Sequence, residues 1–118
     1  MKIELNSYQL KNATLRQLKN IRSMMLNIDY LIELEKSEIE ERKKAALLLS
    51  KVQLAYLKLR TIKLADIRAN LEQNNKELSK SITSLEDALK VSTKIVNIIN
   101  SVSNFLSIVT KIIPISLK

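Results

Sequence analysis

The sequence predicts an all-α fold: an elongated, antiparallel, coiled-coil-like bundle of three long helices in one domain spanning residues 1–118. Three observations predict it. The 118 residues include no Gly and a single Pro, Pro114. Tight turns with positive φ, bulges and hairpin loops usually draw on Gly, so a β-rich fold is disfavoured. Apolar residues make up 46% of the chain but aromatics only 3%, which leaves an aliphatic core of Leu, Ile, Val, Ala and Met. Finally, apolar residues recur in steps of three and four along nearly the whole chain, the spacing that gathers them on one face of a helix.

The first helix is expected over 7–35. Asn6 and Ser7 offer side-chain acceptors for the free N–H groups of a first turn. Leu18, Ile21, Met25, Ile28 and Ile32 form a bundle-facing stripe, Ile39 falls one heptad past Ile32, and Leu15, Met24 and Leu31 widen it. A break is placed at 36–37, because Ser37 followed by Glu40 fits a capping box. Glu38, Glu40 and Glu41 then occupy a first turn, where the helix dipole favours them, and Arg42, Lys43 and Lys44 follow within ion-pairing distance.

The second helix is expected over 38–73. Leu48, Val52, Ala55, Leu59, Ile62 and Ala69 make one seam, and Leu47, Leu54, Leu57, Leu64 and Leu71 a neighbouring one. Two adjacent seams imply two packing partners, one of which can be a second subunit. Lys44, Lys51 and Lys58 form an outer stripe at seven-residue spacing, read as a solvated face in preference to a phosphate contact line. A turn is placed at 72–76 on the polar run Asn70, Gln73, Asn74, Asn75. There Asn74 and Glu77 match a second capping box and Asn tolerates a left-handed helix end. The third helix then runs over 76–113, opening on Leu78, Ile82, Leu85 and Leu89 and stopped by Pro114, with a tail at 114–118.

The stretch 91–113 of this last helix draws most attention. Ile95, Ile98, Ile99, Val102, Phe105, Leu106, Val109, Ile112 and Ile113 form one broad apolar stripe. The opposite face holds Asn97, Asn100, Ser101, Asn104, Ser107 and Thr110 with Lys94 and Lys111 near its ends, and no acidic residue follows Asp87. Three readings stand: the central helix of the bundle, an oligomerisation surface, or a membrane-active helix whose charge-poor polar face suits insertion at a lipid interface. The residues expected to meet a partner or membrane are Ile95, Ile99, Val102, Phe105, Leu106, Val109, Ile112, Ile113, Lys94 and Lys111. A rival architecture also exists. Every seventh residue from Leu57 to Ile113 is apolar except Ser92, as in one continuous helix of a long two-helix hairpin that assembles as an oligomer.

Composition narrows the function. With no Cys and no His, disulfides, thiolate chemistry, the commonest general base and the usual zinc sites are out. With no Gly, phosphate-cradling loops are out as well. Glu33, Glu35, Glu38, Glu40 and Glu41 are the densest carboxylate group, but a di-metal bundle site needs a Glu-x-x-His pair alongside. Tyr8, Tyr30 and Tyr56 are read as edge residues with packed rings and wet hydroxyls. The expectation is therefore no enzyme, no cofactor, no metal and no small-molecule substrate.

The net charge of +8 is uneven. Residues 1–60 carry 12 basic and 7 acidic side chains, 61–87 carry 4 and 5, and 88–118 carry 4 Lys and nothing acidic. Basic charge favours nucleic acid, anionic lipid or an acidic partner, but nucleic-acid modules that stack bases need displayed aromatics, so nucleic acid is not expected. The N-terminus lacks the apolar run of a signal peptide and no run of ~18 apolar residues exists, giving an expected cytoplasmic address, peripheral to a membrane at most. The function expected is a non-enzymatic interaction or self-assembly module acting through helix faces, with a homo-oligomer as partner. The alternative is a membrane-active bundle that engages anionic lipid through 91–113.

Overall fold

The structure, a computed structural model, describes residues 5–91 and 94–113. Among these residues there is no strand, and the fold is all-α as expected. The three expected helices are six: α1 (Ser7–Met25), α2 (Ile28–Glu35), α3 (Ile39–Thr61), α4 (Leu64–Gln73), α5 (Asn75–Val91) and α6 (Ile95–Ile112). Pro114, the tail 114–118 and Ser92 lie outside the described residues.

α1 starts as its sequence dictates. The Gln9 N–H donates to Asn6 Oδ1 at 2.8 Å and the Asn6 N–H donates to Gln9 Oε1 at 3.1 Å, a reciprocal capping box. The helix then ends ten residues early. Asn27 adopts an extended conformation (ψ 140°) and its side chain accepts the Asp29 N–H at 2.9 Å, so a new helix begins. The break re-aims the apolar stripe. Ile28 and Ile32, expected to face the bundle, are 65% and 45% exposed, and Tyr30 is buried in their place.

The break expected at 36–37 is present, between Glu35 and Ile39. Its chemistry differs from expectation. Glu38 is the N-cap and makes no side-chain cap bond, while the Ser37 hydroxyl donates back to the Glu33 carbonyl at 3.2 Å. A second unexpected break falls at Ile62 and Lys63, both extended (ψ 142° and 139°). Lys11 of α1 donates its ammonium to the Ile62 carbonyl at 2.7 Å, capping the end of α3 from another helix. The turn near 72–76 is present, but Asn74 closes α4 with φ −106°, and no described residue has positive φ. Its amide donates to the Asn70 carbonyl at 2.8 Å instead of opening the next helix. The last break lies before Ile95, with Lys94 extended (ψ 128°). These breaks overturn the rival reading as well. A continuous helix over 57–113 would be ~85 Å long, whereas the molecule's longest dimension is 43 Å.

The molecule is therefore flattened where an elongated rod was expected. Its principal extents are 43 × 38 × 19 Å, and the shortest matches two helix diameters of ~10 Å. α1 packs on α2, α3, α4 and α5, and α6 packs on α2, α3, α4 and α5. One core joins them, built on Leu10, Leu18 and Ile21 of α1, Val52 and Leu59 of α3, and Val102, Phe105 and Val109 of α6. Polar ties cross it. Gln17 of α1, itself buried, donates to Glu86 Oε1 of α5 at 2.6 Å. Asn70 of α4 donates to the Ile112 carbonyl at 3.2 Å, and Asn75 of α5 to the Leu5 carbonyl at 2.8 Å. The Asn-rich patch read as turn sequence thus also clamps α4 and α5 to the rest of the fold.

Candidate functional site

α6 carries the apolar stripe that the sequence singles out. Ile95, Ile99, Val102, Phe105, Leu106, Val109 and Ile112 are buried, as is Ile113 immediately after it. Of the three readings, burial in this chain's own core is the arrangement observed, and the stripe is covered by α2, α3, α4 and α5. Lys94 and Lys111 are exposed. Lys111 is also engaged, its ammonium 2.9 Å from Glu77 Oε1 and 3.1 Å from Oε2 on α5. Both partners are about half exposed, so the pair is worth ~1 kcal/mol at most.

The polar face of α6 stays outside. Asn97, Asn100, Asn104, Ser107 and Thr110 are exposed. Ser107 and Thr110 turn their hydroxyls back onto the Asn104 and Ser107 carbonyls at 2.7 Å each. Along α5 this face borders an open groove of about 290 Å³, lined by Ser81, Ser84, Ser101, Asn104 and Phe105 with Lys80 and Glu77 at its edge. No group of three or more potential metal ligands exists among the described residues.

The surface that sequence reasoning missed lies on α2. Its outer face presents Ile28, Leu31 and Ile32, flanked by Leu26 at the end of α1 and Ile39 at the start of α3, all exposed. Beneath this face Tyr30 is 7% exposed, its hydroxyl is buried without a hydrogen-bond partner, and burial raises its pKa. The expected wet hydroxyl is therefore a dry one. α3 carries a second apolar face. Leu47 and Leu57, from the second seam of the expected middle helix, are 51% and 56% exposed. Leu54 and Leu64 are half-buried and Leu71 is buried, so only part of that seam is covered.

The two faces have opposite electrostatic settings. Residues 27–41 hold six of the chain's acidic side chains against Lys36 alone, net −5. Residues 42–63 hold seven basic side chains and no acidic one, net +7. Local i,i+3 pairs link Lys36 to Glu33, Lys43 to Glu40 and Lys44 to Glu41 at 3.4–3.8 Å. Five of those six side chains are more than half exposed, so the pairs neutralise the contrast only weakly. A period of 3.6 marked Ile28 and Ile32 as core. The signal that points the other way is Asn27, a residue that caps a new helix and rotates its face.

No family model matches the chain, and neither curated proteins nor solved structures include a match. What the fold and surface define is a class: an all-α fold of six helices among the described residues, with a closed aliphatic core and apolar helix faces left outside it.

Proposed function

We propose that the protein is a non-enzymatic interaction and self-assembly module that works through exposed helix faces. One observation carries this reading. Ile28, Leu31 and Ile32 of α2 sit together on the surface although the apolar stripe of α6, the most apolar helix, is buried in the core. A contiguous apolar patch rimmed by charge is the usual mark of a protein-binding surface. The working surface is thus α2 with the exposed part of the α3 seam. The α6 stripe supports it from inside.

The test is site-specific photo-crosslinking in the cells that make the protein. A benzoylphenylalanine placed at Ile32 or at Leu47 is expected to give discrete adducts. The same group at Ser103, exposed on the polar face of α6, is expected to give none. Equal labelling at all three positions, or none at any, overturns the reading.

A membrane-active bundle is the second reading. It is favoured by α6, which is long and apolar enough to cross a membrane and has Ser and Asn on its outer face. Core helices of many soluble proteins share that length and composition. Membrane action requires α6 to leave the core, and leakage of liposomes containing phosphatidylglycerol measures it.

A further inference from the structure

The occupant of the α2 face follows from charge. Anionic lipid and nucleic acid meet the carboxylates of residues 27–41, net −5, and are repelled. A second α2 face meets like charge in the same way. What fits is an apolar helix face set among cations, and this chain displays one. Lys43 lies one turn before Leu47 and Lys51 one turn after it, in a stretch of net +7. Among the described residues Lys51 makes no ion pair, nor do Asp29 and Glu35, which flank Ile28, Leu31 and Ile32 on α2.

We propose that the protein binds a second copy of itself by seating the acidic, apolar α2 face of one protomer on the basic, apolar α3 face of the next. The proposal rests on the exposed-face reading above and names its partner. The contact pairs unlike surfaces. It closes into a two-fold dimer where two such contacts form at once and extends into a chain of protomers where they do not. Apolar contact supplies the affinity, and the opposed charges set register and exclude like-with-like pairing.

Charge reversal tests it. One variant carries Asp29→Lys with Glu35→Lys, the other Lys43→Glu with Lys51→Glu, and far-UV circular dichroism confirms that each is folded. Analytical ultracentrifugation at ~50 mM salt is expected to show wild-type self-association that weakens as salt rises. Each variant alone should associate at least ~10-fold more weakly, because the two substituted side chains of one face now meet like charges on the other. An equimolar mixture of the two should recover the wild-type affinity to within ~3-fold, since the substituted side chains of one protomer again meet opposite charges on the other. Wild-type protein that stays monomeric at ~1 mM overturns the proposal. So do variants that associate as well as wild type, or a mixture that gains nothing. A monomer that still forms adducts with another protein at Ile32 and Leu47 overturns the second copy as partner and leaves the exposed-face reading standing.

Discussion

Tyr30 is the residue on which the least exposed and most exposed parts of α2 meet. Its ring fills the core side of a helix whose other side is bare, and its hydroxyl has no partner there. A buried hydroxyl left unbonded costs about 1–3 kcal/mol. Tyr30→Phe is therefore expected to leave stability unchanged or raise it by up to ~1 kcal/mol, read as the urea midpoint. The substitution also changes the response to alkali. Burial holds the folded-state pKa above the ordinary tyrosine value, so the folded protein keeps a proton that the unfolded chain releases. Stability from this group is complete below pH ~10 and falls as pH climbs through the folded pKa. The Phe variant should lose less stability than wild type between pH 9 and 11, and an identical loss contradicts the buried hydroxyl. Gln17 shows the opposite case. Its amide is buried but bonded to Glu86, 69 positions away. Glu86→Ala strands that amide and is expected to cost ~1–2 kcal/mol in the same urea measurement. Neither residue was readable as core from a stripe of apolar positions, because such a stripe leaves out polar groups satisfied across the fold.

At the scale of elements, much of the chain was readable in advance, and what was not has a definable cause. Asn6 announces the start of α1, and the break before α3 is predicted from a Ser37 cap that does not form, with the Glu-then-Lys switch beside it. The breaks at 26–27 and 62–63 carry no Gly or Pro, and steps of three and four carry apolar residues across both. The rhythm does slip at the second. Ala45, Val52 and Leu59 are buried at heptad spacing, and the next two positions of that heptad are Asp66 and Gln73. A straight helix would bring both into the core. The extended residues Ile62 and Lys63 turn the next helix, so Ile67 and Leu71 are buried instead. The break before Ile95 shows no such slip, since Leu78, Ile82 and Leu85 continue in phase with Ile99 and Leu106. Only the need to fold α6 back onto α5 marks it. At 26–27 the device is one side chain. Asn27→Ala removes the bond to the Asp29 N–H and is expected to cost ~1 kcal/mol, seen as a lower melting temperature by circular dichroism. An unchanged melting temperature would mean that packing of Tyr30 alone sets the break.

For the whole molecule, the question left by the site is whether α6 is a fixed member of the core or a helix held ready for release. Its contacts favour the first. It touches α2, α3, α4 and α5, and Val102, Phe105 and Val109 are at most 1% exposed. Phe105→Ala opens a cavity in the core and is expected to cost ~3–5 kcal/mol, a large fraction of the ~5–15 kcal/mol that ordinarily holds a domain folded. The chain also supplies probes that separate the alternatives. Its three tyrosines lie on α1, α2 and α3, at positions 8, 30 and 56, and none lies on α6. Near-ultraviolet signals from tyrosine therefore follow the first half of the fold, and far-ultraviolet circular dichroism follows every helix. If α6 belongs to one cooperative core, the two urea transitions coincide in wild type and shift together in Phe105→Ala. If α6 detaches first, helix signal falls while the tyrosine environment persists. Two separated transitions would thus favour the membrane-active reading. A single one would leave the faces of α2 and α3 as the surfaces with work to do.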